Sequence, residues 1–390
     1  MSNNSFTEVT SEGWLSRIGG ALKGILFGLI LFIIAFPLLI WNESRAVDRI
    51  KALEEGSGSV IHIESAPVIP ANNQKLVHLT ADVTTAEILE DPIFNVQANA
   101  IKLKRNTQIF QWKEKVTTIK EKQLGGEEKT IKEYSYSKVW SDDLISSSNF
   151  KDSRYRNPDN MPLKKLTLQA KKITSGAFDF PDSLTQRMNN FKSLELQPKS
   201  FPNIQGIENI ISYAGGYFIG DDPERPRVGD IKVHFEIVEP AALSIIAQQT
   251  ANTFQPYITN GGGEILLLEY GVVSHEKMFK SALESNSVLT WVIRLTGLIM
   301  MSIGLMLILK PLSVIADVLP ILGNIVGAGA SLIAFLVAIV LTAITIAVAW
   351  IVFRPLIGVG LLLLAGLVLW LIKGRVKANK SITDSEVTTS

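Results

Sequence analysis

The stretch Ala349-Trp350-Ile351-Val352-Phe353-Arg354-Pro355-Leu356-Ile357-Gly358 places an arginine and a proline inside a long apolar run. That run extends from Ser331 to Ile372, 42 residues. As one straight helix it would measure about 63 Å, against a hydrocarbon core of about 30 Å. The chain must therefore turn, and Phe353-Arg354-Pro355 is equipped to do it. Proline disfavours the α conformation at the residue before it, and a guanidinium needs water. The reading is two spans, 331–353 and 356–372, with Arg354 and Pro355 as an interfacial turn.

The rest of the chain supports a membrane protein with a polar middle. Of 390 residues 47% are hydrophobic and 19% charged, and the mean hydropathy is +0.23. The apolar excess lies at the two ends. After a polar segment, 1–23, the run 24–41 is close to the shortest length that crosses a bilayer. It ends without a small-x-small cleavage site, so it reads as an uncleaved anchor closed by an interfacial Trp41. Residues 288–309 form the next span, stopped by Lys310-Pro311, with Arg294 expected to snorkel to the headgroups. The stretch 312–327 carries Asp317, Pro320 and Asn324 and is expected to lie at the interface.

Between these runs, 46–287 has the composition of a water-soluble domain. Gly56-Ser57-Gly58-Ser59 reads as a flexible joint at its start. Alternating patterns at 75–83, 101–119, 134–140, 231–237 and 264–270 predict strands, with Leu124-Gly125-Gly126-Glu127-Glu128 as a hairpin turn. Ser274 caps a helix that feeds the second span. The expected fold is a multi-pass α-helical membrane protein of four spans, with a large strand-rich α+β domain between the first and second.

Four spans place both termini on one side. Seven basic residues (Arg17, Lys23, Lys310, Lys373, Arg375, Lys377 and Lys380) flank the membrane there. Only Arg354 lies in the short turn opposite once the large domain is set aside. The termini, including the basic tail 373–390, are then cytoplasmic and 46–287 is periplasmic or luminal. Asn-x-Ser sequons occur at Asn3, Asn42 and Asn379, none usable in a translocated domain. That favours a bacterial inner membrane, with the endoplasmic reticulum or inner nuclear membrane as the eukaryotic equivalent.

Chemistry-bearing patterns are sparse. The absence of cysteine removes disulfides, thiolate catalysis and cysteine-ligated metals. A net charge of +1 offers no field for nucleic acid. His62, His78, His234 and His275 are far apart in sequence without ligand spacing, and His275-Glu276 lacks a second histidine. No nucleophile elbow or phosphate loop is present. Lys102, Lys104 and Arg105 near Trp112 read as the solvated face of a strand. No catalytic residue, cofactor or metal is expected, and the protein reads as a non-enzyme. Gly20, Gly24 and Gly28 are spaced four apart, as are Gly323, Gly327 and Ser331. Such spacing lets helices approach closely, within one chain or between copies.

The order of elements and a series of strings together resemble one family. The strings are Asn42-Glu43-Ser44-Arg45-Ala46, Lys75-Leu76-Val77-His78, Asp91-Pro92, Ile101-Lys102-Leu103-Lys104-Arg105, Gln111-Trp112 and Tyr134-Ser135-Tyr136. They continue with Asn190-Phe191-Lys192-Ser193-Leu194, Val228-Gly229-Asp230, Ser285-Asn286-Ser287 and Arg354-Pro355-Leu356. The chain resembles the transmembrane protein 43 (LUMA) family, and the sequon pattern suggests a bacterial member. The resemblance implies a luminal large domain, a role in membrane or envelope organisation, self-association, and no established catalytic residues. The animal members' links to emerin and lamins are not carried over. The expected function is a non-enzymatic scaffold that binds lipids, further copies of itself and protein partners of the extracytoplasmic domain. The alternative is a channel or transporter component using Arg294, Asp317, Asn324 and Arg354, and behind it a membrane-bound hydrolase.

Overall fold

Alternation decides where the sheets run. In β4 (Lys102–Lys122) the side chains of Leu103, Arg105, Thr107, Ile109 and Gln111 are buried and those between them are half-exposed. In β10 (Ile231–Val238) Ile231, Val233, Phe235 and Ile237 point inward in the same way. The two pair antiparallel with Ile231 opposite Ile109 and Ile237 opposite Leu103, so a one-residue slip would turn every inward side chain out.

The computed structural model describes residues 5–196, 209–355 and 360. Its chain divides into two units, one of 1–11, 52–121 and 129–282, the other of 12–51, 122–128 and 283–390. The first unit is built on two sheets. In the larger, of eight strands, the order is β1 (Ser5–Glu12), β5 (Glu128–Ser141), β4, β10, β9 (Gly216–Ile219), β8 (Ile210–Tyr213). Leu166–Gln169 (β6) adds to β4, and Lys192–Leu194 (β7) to β10. The smaller sheet has β11 (Ala241–Thr250) antiparallel to β3 (Leu76–Val83), β12 (Thr253–Gln255) and β13 (Leu267–Tyr270), while β2 (Ile61–Ile63) runs parallel to β3. Val77 and Leu79 of β3, Leu243 and Ile245 of β11 and Phe235 of β10 belong to one core. Each such side chain contributes about 1.5–3 kcal/mol on burial.

The second unit is helical. Among the described residues, three helices are long and apolar enough to cross a membrane: α1 (Trp14–Ser59), α2 (His275–Ala316) and α3 (Pro320–Phe353). α1 and α2 pack antiparallel along their apolar lengths. A Cβ on Gly28 would meet Gly304 O and Leu307 Cβ at 2.7 Å, and one on Gly297 would run into Leu39. Ala35, Leu39, Met301 and Ala338 form the shared core of the three helices.

Several expected boundaries change. The segment 1–23 is not simply polar lead, because 5–12 is a strand and α1 begins at Trp14. Gly56-Ser57-Gly58-Ser59 is no joint but the last turn of α1. Gly56 is there for close approach, since a Cβ would press on Ile265, Leu76 and Phe279. Lys310-Pro311 does not stop α2, which runs on to Ala316. Proline costs one backbone bond, and an apolar helix without water keeps its other backbone groups paired internally. The segment 312–327 is not one interfacial piece: it ends α2, turns at 317–319 and starts α3, with Pro320 at the first helical position. The span 331–353 is thus the later part of α3. At the far end Arg354 leaves helical geometry, with φ −134° and ψ 65°, and its N–H closes on Trp350 O at 2.8 Å. Apart from Gly360, the expected span 356–372 and tail 373–390 lie outside the described residues.

Candidate functional site: buried charge clusters at the ends of the helices

Glu43 follows the apolar stretch of α1, and its side chain is completely buried. Its two oxygens accept from Arg294 Nε at 2.7 Å and Nη2 at 2.8 Å, and Oε2 also accepts from Trp350 Nε1 at 2.7 Å. One carboxylate therefore ties α1, α2 and α3 together. The Arg294 guanidinium also lies 4.8 Å from the Trp291 ring centroid and 5.6 Å from that of Trp350, a geometry in which ring quadrupoles favour the cation. The expectation that Arg294 snorkels is corrected by Glu43, which lies 251 residues away in sequence.

On the same turn of α1 the pairing continues. Arg45 Nη1 donates to Asn286 Oδ1 at 2.9 Å and Nη2 to Thr290 Oγ1 at 3.0 Å. Asn286 Nδ2 donates back to Ala46 O at 3.0 Å, and Asn42 Nδ2 to Thr290 O at 3.1 Å. Asn42 is buried, so its sequon is closed to modification. A cavity of about 370 Å³ opens beside this network, between Ala46, Ile50, Trp291 and Trp350, with Arg294 and Arg354 at its wall. An apolar pocket with cations at one side suits the junction of an acyl chain and an anionic headgroup.

The opposite end of the same helices carries a second cluster. Asp317, 1% exposed, stands in the α2–α3 turn and accepts from Arg17 Nη2 and, at 2.6 Å, from Lys122 Nζ. Arg17 also donates to Gly126 O and pairs with Glu128 at 3.3 Å. Trp14 Nε1 donates to Val314 O at 2.8 Å, and Gly125 N–H to Val318 O at 3.1 Å. Gly126 has φ +83° and a Cβ there would enter the Trp14 ring, so two independent constraints demand glycine. The hairpin tip 122–128 is thereby part of the helical unit.

The other expected positions fall as follows. Nothing lies within 4 Å of a Cβ placed on Gly20 or Gly24, whereas Gly28 meets Gly304 within the chain. Gly323 is closed by Asp317 and Gly327 by Ser313, and Ser331 is half-exposed. Trp41 is 56% exposed, and Arg354 sits 6.0 Å from the Trp350 ring. Pro355, which completes the expected turn, is exposed.

Two readings of the domain are corrected. Lys102 and Arg105 are not on a solvated face. Arg105 points into the core and holds Asp91 through Nη1 at 2.7 and 2.8 Å, both side chains at most 5% exposed. Lys102 Nζ reaches Asn189 Oδ1 at 3.1 Å, and burial holds its pKa below the ordinary lysine value. The histidines are not all scattered. His62 Nδ1 lies 3.1 Å from His78 Nδ1, and the His275 ring centroid is 5.8 Å from that of His78. Val273 O only accepts, so His78 donates to it from Nε2 at 2.9 Å and takes the His62 proton on Nδ1. Burial, reinforced by the neighbouring His62 and His275, keeps the His78 pKa low. Among the described residues no group of histidine, aspartate and glutamate is arranged to hold a metal ion.

From sequence Glu43 stands only within a family string and Asp317 only as a residue of a polar route, because a lone acid beside an apolar run announces no partner. The available signal was electrostatic: Arg294 inside a span requires a counter-charge, and Glu43 is the nearest acid to any span.

Comparison with known proteins places the chain in a family. The family model described as Transmembrane protein 43 matches residues 109–355, which include Arg294, Asp317 and Trp350. Transmembrane protein 43 of Pongo abelii is 33% identical over 374 residues, covering 92% of this chain and 91% of the relative. The Homo sapiens protein is 33% identical over 372 residues, with the same coverage. A Drosophila melanogaster homolog is 29% identical over 351 residues, 87% of this chain and 91% of its own. No solved structure matches. On the extent and identity of these matches, the chain belongs to the transmembrane protein 43 family of membrane proteins.

Proposed function

We propose that the protein is a non-enzymatic membrane scaffold that associates with further copies of itself and organises the membrane or envelope by binding lipids or protein partners through its strand-rich domain. The observation that carries this reading is the use made of charge in the helical unit. Glu43, Arg294 and Asp317 are each engaged by ion pairs between helices, at hydrogen-bonding distance and with little exposure. Groups held this way lock helices together, whereas ion-coupled transport requires them to exchange partners or line water. The apolar surface left on the helices, with Leu26, Phe27, Ile30, Ile33 and Trp291 exposed, is suited to lipid or to another copy. Native mass spectrometry and chemical crosslinking of the full chain in lipid nanodiscs test the self-association; a strictly monomeric particle would overturn it. Ion flux through liposomes that is lost on Arg354→Ala would replace the scaffold with a channel.

A further inference from the structure

We propose that the cavity at the Glu43 end of the helical unit is a binding site for an acidic phospholipid, with the phosphate held by Arg354 and Arg294 and the glycerol and acyl end laid against Trp291 and Trp350. The scaffold reading puts lipid on the strand-rich domain. This site lies wholly within the helical unit and stands without that reading.

Three elements close the cavity: Ile50 of α1, Ser287, Trp291 and Arg294 of α2, and Trp350 with Arg354 at the end of α3. Its volume of about 370 Å³ lies within the range of small-ligand sites, about 300–1,000 Å³. It therefore takes a headgroup and the first carbons of the chains, not a whole lipid.

Charge selects the headgroup. Arg294 and Arg354 are the charged residues of the wall, and their guanidiniums lie 5.6 and 6.0 Å from the centroid of one ring, Trp350. Arg45 stands behind them. It bonds only to the neutral side chains of Asn42, Asn286 and Thr290, and its Nε is buried without a partner. Among the described residues one carboxylate interacts with all three guanidiniums, that of Glu43, and its oxygens are taken by Arg294 and Trp350. The Arg354 guanidinium and Nη1 of Arg294 have no hydrogen-bond partner among those residues. Three cations against one anion, shielded from water, call for a further negative charge. The planar guanidinium fork matches the oxygens of a phosphate. No acid lines the cavity, so the ammonium of a choline or ethanolamine headgroup would meet no partner there.

Depth selects a lipid over a free phosphate. Asn42 Nδ2 donates to Thr290 O at 3.1 Å, which sets the neighbouring Trp41 and Trp291 at one level of the bundle. Both are exposed, as tryptophans are at the headgroup level of a bilayer. From that level Ile33 and Ile34 of α1 and Leu295 and Ile299 of α2 continue an exposed apolar surface on which acyl chains can lie. Basic pockets between membrane helices are suited to anionic headgroups for this reason.

The test uses the full-length chain, delipidated in detergent and titrated separately with phosphatidylglycerol, phosphatidylcholine and glycerol 3-phosphate, with bound lipid counted by native mass spectrometry. The expected result is one phosphatidylglycerol held per chain in preference to phosphatidylcholine. R354Q should weaken that binding about fivefold or more, the weight of one basic residue at an anionic surface. S287W, at an exposed position of the wall, should weaken it with every charge kept. K23Q, which removes a charge from an exposed position elsewhere on α1, should leave it unchanged. Melting curves in phosphatidylcholine check the fold of each variant, and S287W decides if R354Q is unstable. Equal binding of phosphatidylcholine, undiminished binding by a folded R354Q or S287W, or a K23Q loss matching that of R354Q would overturn the proposal. Glycerol 3-phosphate competing as well as the lipid would also overturn it, by making the ligand a free phosphate. Lipid is counted per chain, so the outcome is independent of the number of copies in the particle.

Discussion

Removing the Glu43 carboxylate would expose how much of the helical unit depends on one group. In Glu43→Ala the Arg294 guanidinium keeps its buried place, with a side chain 11% exposed between two tryptophan rings, but loses two bonds of 2.7 and 2.8 Å. Trp350 Nε1 loses its acceptor in the same step. An uncompensated charge of this kind costs about 3–5 kcal/mol. For a unit of this size each kcal/mol shifts the melting temperature by about 2–4 °C, so the expected fall is roughly 6–20 °C. Tryptophan fluorescence of the detergent-solubilised chain during heating is the assay, because Trp291 and Trp350 sit at the site. The double variant Glu43→Leu/Arg294→Met removes both charges and should recover most of the loss, since an apolar replacement leaves nothing unpaired. A Glu43→Ala transition within about 2 °C of the parent, or a double variant less stable than the single, would refute the reasoning.

Two other expectations concern packing and pH. Gly28→Leu should destabilise the chain by about 1–3 kcal/mol, because its Cβ meets backbone at Gly304 that has no room to move. Gly20→Leu and Gly24→Leu, with open space around them, should leave the melting temperature unchanged. A shift in oligomer size for either, read by light scattering, would mark it as a contact between copies. In the strand-rich domain His78 has a depressed pKa, chiefly from burial. Its neutral form costs nothing at neutral pH, but below an ordinary imidazole value of about 6.5 the unfolded chain gains a proton that the folded one resists. The urea midpoint of this transition should therefore fall as pH drops from about 7.5 to 5, and His78→Gln should flatten the slope. A midpoint that rises on acidification would contradict this.

What could be read from the chain alone was what neighbouring residues decide together. The apolar runs marked the three helices, the patterns at 101–119 and 231–237 marked strands, and Gly125-Gly126 marked the hairpin turn, while the pairing of 102–109 with 231–238 came from the structure. The helix limits were less legible, because Pro37 and Pro311 break a water-exposed helix but are carried inside these two. Close approach at Gly28 could be anticipated from the spacing of small residues, yet Gly20 and Gly24 share that spacing and touch nothing. Which of the three packs depends on the rotation of α1 against α2, a property of neither helix alone.

The sequence by itself determined an apolar helical part, a strand-rich part and the want of catalytic motifs, because periodicity and composition are local. Only the tertiary structure decided which charges meet. Glu43 with Arg294, Arg17 with Asp317 and His62 with His78 and His275 are joined by the fold across separate elements. A buried charge must find a counter-charge wherever folding brings one, so its partner is set by packing in space and leaves no spacing to read. The same holds for Arg354, whose Pro355 marks a turn from sequence while its place beside Trp350 and the Glu43 cluster is a product of the helices closing on one another.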